Sequence, residues 1–122
     1  MNFEEHAAKT VLAEAGIALL PSKLCATPAE AAAAAREIGP CVVKAQVPTG
    51  KRGKAGGIRL AATPQEAEAA ARAILALEIG GYRVNSILVE AQAKIARELY
   101  AAVLNDSASK GPLVLFSTEG GM

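Results

Sequence analysis

Lys44 stands in an apolar run, Val42-Val43-Lys44-Ala45. The chain then enters Gly50-Lys51-Arg52-Gly53-Lys54-Ala55-Gly56-Gly57 before turning apolar again at Ile58-Arg59-Leu60. Glycines admit backbone conformations in which several N–H groups converge on one point, and such a concavity binds anions. Lys51, Arg52, Lys54 and Arg59 add four positive charges within nine residues. The chemistry this suits is the binding of a phosphate; the alternative is a solvated hairpin loop whose charge serves solubility. Alternation along the strand puts Val42 and Lys44 on one face and Val43 and Ala45 on the other. A lysine on a covered face is costly unless an anion meets it; on an edge strand it would instead reach out to water.

Two familiar phosphate signatures are excluded. Gly50 and Gly53 are too close for a P-loop and Ala55, not Ser or Thr, follows Lys54. The loop also leads into a strand, not a helix, which rules out a dinucleotide fingerprint. Cys25 and Cys41 each lie in an apolar run beside a strand, with no spacing that would hold zinc, so they read as buried free thiols. His6 is the single histidine and has no second ligand nearby, so it reads as a surface or partly packed residue.

These residues must be positioned by elements that the sequence also marks. Residues 3–15 carry Phe3, Ala7, Val11 and Leu12 on one helical face and end at Gly16. Short extended pieces follow at Ile17–Leu20 and Lys23–Ala26, broken by Pro21. Ala26-Thr27-Pro28-Ala29-Glu30-Ala31 and Ala62-Thr63-Pro64-Gln65-Glu66-Ala67 are near copies 36 residues apart. Each has Thr as N-cap, Pro at the first helical position and Glu three residues after the cap. Two copies predict two strand-and-helix units sharing one sheet. Further strands are expected at Cys41–Val47, Ile58–Ala62, Ser86–Ala91, Glu98–Leu104 and Leu113–Ser117, and the chain passes almost directly through Gly80-Gly81 to Val84. The strands flanking the glycine loop pair antiparallel. The fold class is α/β (α+β) with a mixed sheet.

Composition sets the bounds. The chain has 122 residues, 52% hydrophobic and 3% aromatic, with a formal net charge of +1. Alanine supplies 28 of the hydrophobic residues, so the core is aliphatic and thin. The scarcity of aromatics argues against an RNA-binding domain built on the basic loop. The acidic N-terminal stretch is not a secretory leader, and no apolar run reaches the ~18 residues of a membrane helix, which points to the cytoplasm and to no membrane or nucleic-acid partner. An apolar strand followed by Thr118-Glu119-Gly120-Gly121 normally leads to a further element, so continuation beyond Met122 is expected.

Four ordered motifs carry a resemblance. MNFEEHAAKTVLAEAGI, KAQV followed by GKRGKAGGI, ILVEAQAKIARELYAAVLND and STEGGM together resemble the N-terminal part of the β subunit of succinate–CoA ligase and its malate–CoA ligase relatives, members of the ATP-grasp group. The resemblance covers essentially the whole chain and the first third or so of a β subunit. It implies an ATP-grasp fold, with residues 1–92 as the N-terminal helix and first subdomain and 93–122 as the start of the second. It implies that Lys44 contacts the nucleotide phosphates, that Lys51, Arg52 and Gly53 lie in the phosphate-covering loop, that Glu90 and Ala93 lie where the chain passes the adenine at the hinge, and that Glu98 lies close to the nucleotide. Without the resemblance, Glu90 and Glu98 read as a strand-end acid and a solvated acid.

The implied reaction is ADP-forming. ATP phosphorylates a histidine on a partner α subunit, the phosphate passes to a carboxylate, and CoA displaces it to give a thioester. The cofactor is ATP with Mg²⁺, whose ligands would lie beyond Met122, as would the acid and CoA sites; His6 is no candidate for the phosphorylated histidine, and the 122-residue piece alone is expected to be inactive. One departure stands out: Pro48-Thr49-Gly50-Lys51 replaces the family's His-Ala-Gly-Gly, which leaves substrate and nucleotide preference open. A stand-alone anion- or nucleotide-binding module is the alternative reading. Residues 97–117 would leave an open sheet edge, so self-association through them is expected.

Overall fold

In a computed structural model, which describes residues 3–120, both Thr-Pro signals open helices. Thr27 accepts a bond from the Glu30 N–H and Thr63 from the Glu66 N–H, each at 3.2 Å. The two glutamates reach back, at 2.7 Å, to the N–H of Ala26 and of Ala62, one residue before the cap. In chain order the elements are α1 (Glu5–Glu14), β1 (Ser22–Cys25), α2 (Pro28–Ile38), β2 (Cys41–Gln46), β3 (Ile58–Ala61), α3 (Pro64–Leu75), β4 (Glu78–Ile79), β5 (Tyr82–Arg83), β6 (Ser86–Ala91), β7 (Tyr100–Asp106) and β8 (Gly111–Ser117). The chain divides into two units, Met1–Gln92 and Ala93–Met122.

The first unit is built on a four-stranded sheet in the order β1-β6-β2-β3. The sequence predicts a mixed sheet; every pairing among the described residues is instead antiparallel. The reason is that each strand-helix-strand crossover skips one strand. β1 and β2 are joined through α2 but lie on either side of β6, and β3 and β6 are joined through α3 but lie on either side of β2. The internal repeat therefore makes two interlocked units, with the α+β class intact.

Helices α2 and α3 pack on each other and on one sheet face. Their alanines Ala31, Ala34, Ala35, Ala67, Ala70 and Ala71 close against Val43, Ala45, Ile87 and Val89, with Ile74 fully buried among them. Cys25 and Cys41 are buried free thiols in the same core, and burial raises both thiol pKa values. The other sheet face carries Val42, Lys44, Gln46, Leu88 and Glu90 and receives α1. That helix buries none of its own residues and ends on Gly16 at φ 80°.

Two local expectations change. Ile17–Leu20 joins no strand. Gly80-Gly81, expected as a direct passage, is the turn of a hairpin between β4 and β5. Both glycines have positive φ, 59° and 82°, as a tight two-residue hairpin turn requires.

The second unit is the β7–β8 hairpin, paired from Tyr100↔Ser117 to Asp106↔Gly111. Asp106 closes its turn by accepting from the N–H of Ala108 and of Ser109. Val103, Leu113, Val114 and Phe116 stand exposed on it.

Candidate functional site

Lys44 is carried by β2 onto the sheet face that α1 covers, opposite Leu88 of β6 and diagonal to Glu90. Its Nζ donates to Glu90 Oε1 at 2.7 Å and to Glu5 Oε1 of α1 at 2.9 Å. The second oxygen of Glu5 accepts from Arg52 Nη2 at 2.8 Å. Arg52 Nη1 is fixed in turn on the carbonyl of Ala45, also at 2.8 Å. Glu90 is buried and also accepts from Lys9 of α1. Three cations and two carboxylates thus form one half-buried network with a net charge of +1. Gln46, buried beside it, accepts from the His6 N–H at 2.9 Å, which completes the docking of the first turn of α1.

The ionisation of this network follows from its geometry. Burial pulls the Glu5 carboxyl upward, but the bonds and charges of Lys44 and then Arg52 outweigh it and hold the pKa below the ordinary value. Glu90 behaves likewise: burial raises it, and Lys44 and Lys9 bring it below the usual range. For Lys44, burial acts downward, and Glu90 and Glu5 more than reverse it, so its ammonium titrates above the ordinary lysine value. All three groups are charged across the neutral range.

The glycine-rich loop is a single compact turn. The Ala55 N–H meets the Lys51 carbonyl at 3.2 Å, the Gly56 N–H the Gly53 carbonyl at 3.1 Å, and the Gly57 N–H the Arg52 carbonyl at 2.8 Å. With Gly56 at φ 77° this is a helix-ending Schellman turn. Gly57 has no room for a side chain: a Cβ there would lie 2.6 Å from Ile79 Cδ1 and 3.1 Å from Ala45 Cβ. Gly80, a turn residue between β4 and β5, lies similarly close to Thr49. The hairpin that the sequence reading passes over is therefore the prop behind the loop. Lys51 takes φ 62°, a left-handed conformation that costs a non-glycine residue about 1 kcal/mol. The resemblance places glycine at this position, the residue that adopts such a conformation without steric cost.

Of the sequence-predicted residues, Lys44, Arg52 and Glu90 are brought together. Lys51 is exposed on the loop and Gly53 is half-buried in its turn. Ala93 and Glu98 belong to the second unit, where both are exposed. There the backbone of Glu98 and Leu99 lies against Gly120, with no space for a Cβ, so two of the quoted motifs meet within that unit. Glu5 and Lys9 were not foreseen. Their only trace is the i, i+4 spacing of opposite charges on α1; nothing local announces that Glu5 bonds to a lysine 39 residues away.

Family comparison agrees with this architecture. The ATP-grasp domain family matches residues 2–122. The chain belongs to the ATP-grasp family. Among curated relatives, the ADP-forming succinate–CoA ligase β subunit of Rubrobacter xylanophilus is 50% identical over the whole chain, and the GDP-forming β subunit of Thermus thermophilus 46%. The chain spans about a third of the length of these relatives, 32% in each case. Among solved structures, the dinucleotide-forming acetyl-coenzyme A synthetase 1 of Ca. Korarchaeum cryptofilum, in complex with coenzyme A, Ca-AMPCP and HgCl⁺, superposes with a TM-score of 0.83 at 29% identity, over 95% of this chain and 53% of that one.

The ATP-grasp fold binds ATP. A divalent cation is a separate question. Among the described residues no three His, Cys, Asp or Glu side chains converge. Glu5 and Glu90 are each held by two cations, so their donor set does not fit a metal. No helix among the described residues is long and apolar enough to cross a membrane.

Proposed function

We propose that this chain is the nucleotide-binding portion of the β subunit of an ADP-forming acid–CoA ligase. Residues 1–92 form the first ATP-grasp subdomain and 93–122 begin the second. Lys44, Lys51, Arg52 and Gly53 hold the phosphates of ATP; Glu90, Ala93 and Glu98 line the path of the chain past the nucleotide. The parent enzyme passes the phosphoryl group to a histidine of a partner α subunit and then to a carboxylate, which CoA captures as a thioester. Mg²⁺ accompanies the nucleotide through residues outside this chain, and the setting is the cytoplasm.

One observation carries the phosphate assignment. Lys44 from a strand and Arg52 from the loop converge on the two oxygens of a single carboxylate, at 2.9 and 2.8 Å. Side chains that meet one small anionic group can meet another. Lys44 uses two of its three N–H donors and Arg52 two of its five, so donors remain for a phosphate. Such preorganised cations act on the charge of a transferring phosphoryl group without reorganising during the reaction.

In a ligase assembled from the full-length β chain and its α subunit, Lys44→Ala is expected to lower kcat/KM for ATP by about 100-fold or more. Steady-state kinetics at varied ATP measure this, and an unchanged value would remove Lys44 from the site. The 122-residue chain alone is expected to self-associate through the exposed apolar hairpin β7–β8, whose strands carry one acidic residue, Asp106, and no basic one to discourage pairing. Sedimentation velocity at rising concentration checks this, and a monomer throughout would refute it.

A further inference from the structure

We infer that Glu5, on α1, is the positioning residue of the phosphate site: it holds the strand lysine and the loop arginine at one point and keeps two like charges from separating. This inference rests on the nucleotide reading above and adds to it a residue that does not itself touch the phosphate.

The geometry supplies the argument. Lys44 belongs to β2 and Arg52 to a loop that begins after Val47; no hydrogen bond links their side chains directly. Glu5 bridges them, one oxygen to each. Two cations that share one anion would otherwise repel each other in a site where water screens them only partly, with side chains 19% and 22% exposed. Without Glu5 the network of Lys9, Lys44, Arg52 and Glu90 carries three positive charges against one negative. Lys44 would turn wholly to Glu90, and Arg52 would keep only its bond to the Ala45 carbonyl.

The same contacts explain how α1 is held. None of its residues is buried. Cavities of about 470 and 360 Å³ flank it against the sheet and the segment Leu19–Leu20. What fastens it is polar: Glu5 on Lys44 and Arg52, Lys9 on Glu90, and the His6 N–H on Gln46. The first helix is thus attached through the cluster it orders, which ties its docking geometry to phosphate affinity rather than to the core. Because donors remain on both cations, Glu5 need not leave when the phosphate arrives.

The test uses the full-length β chain and ADP binding by calorimetry. Glu5→Ala is expected to weaken ADP by about tenfold, the scale at which groups that orient a ligand's partners act. Sodium formate, a carboxylate small enough for the space left by the side chain, is expected to restore most of that loss, against an equal concentration of sodium chloride. Glu5→Gln, which keeps the size but offers an N–H to one of the two cations, is expected to weaken ADP several-fold and guards against a folding defect in the alanine variant. If Lys44→Ala weakens ADP but Glu5→Ala binds it equally or more tightly, Glu5 does not position the site and the inference falls while the phosphate reading stands. If formate further weakens ADP in Glu5→Ala, the carboxylate competes with phosphate, and the inference falls in that case too. If Lys44→Ala itself leaves ADP binding unchanged, the phosphate reading fails first.

Discussion

Ile74→Ala is expected to destabilise the first unit by about 3–4 kcal/mol, a large part of the ~5–15 kcal/mol that holds a domain of this size. Ile74 is fully buried in the last turn of α3 and is among the largest wholly buried side chains of the core. Its neighbours explain why the loss should be large. The facing surfaces of α2 and α3 are alanine, and an alanine has no rotamers with which to fill a gap. The cavity left by the truncation therefore persists, and the cavity contribution adds to the lost transfer energy. Ile74→Val should cost about 1 kcal/mol. Leu60→Ala, on the edge strand β3 at 67% exposure, should cost under ~0.5 kcal/mol. Urea unfolding followed by circular dichroism measures all three. A loss below ~1.5 kcal/mol at Ile74 would mean that the alanine interface closes over the gap, contrary to the rigid packing argued for it.

The thinness of that core also explains what the sequence reveals. The helices α2 and α3 were legible to the residue at their starts because Thr-Pro-x-Glu is a local signal whose partners lie within four positions. The strands β2, β3 and β6 were legible because each alternates or runs apolar next to a turn or capping signal. The hairpin of β4 and β5 was missed because two-residue strands carry no periodicity; only the Gly80-Gly81 pair marks it, and that pair also suits a plain turn. The antiparallel order could not be read from the repeat, since a crossover that skips a strand and one that does not share the same local sequence.

The site divides in the same way. Lys44 and the basic loop stood out because a charge in an apolar run and glycines among cations are local anomalies. The role of Glu5 is non-local, created by a helix that lies across the sheet, and an acid near a helix start is ordinary. Glu90, read from the resemblance as a residue at the hinge, is in addition a buried anchor for two lysines, which no local pattern marks. The loop position Lys51 shows the reverse case: the residue departs from the one the resemblance leads one to expect, and it takes a left-handed conformation that favours glycine.

Glu90→Ala is expected to cost about 3 kcal/mol and to change the shape of the stability–pH profile. Removing one partner of a buried ion pair leaves the other desolvated and uncompensated. The figure lies at the lower end of the usual range because Lys44 retains Glu5 and its side chain is 19% exposed. The direction with pH follows from the shifts. Glu5 and Glu90 are held below their ordinary value of 4.5, so their contribution is complete above pH 4.5 and is lost as pH falls through the folded values. Lys44 is held above its ordinary 10.5, so its contribution is complete below pH 10.5 and is lost as pH rises through the folded value. Wild-type stability should therefore run level between these limits as far as this network is concerned. In Glu90→Ala the acid limb should keep only the part due to Glu5. The alkaline limb should still begin near pH 10.5 but be smaller, because burial then acts on Lys44 against one carboxylate and not two. Combining Glu90→Ala with Lys44→Met should recover part of the loss, since an apolar side chain of similar length removes one of the two ammonium groups that Glu90 compensates, Lys9 being the other. Urea unfolding from pH 3 to pH 11 follows these changes. If the double variant proved less stable than Glu90→Ala alone, the cost would lie in the packing of the sheet face beneath α1 and not in the uncompensated charge of Lys44.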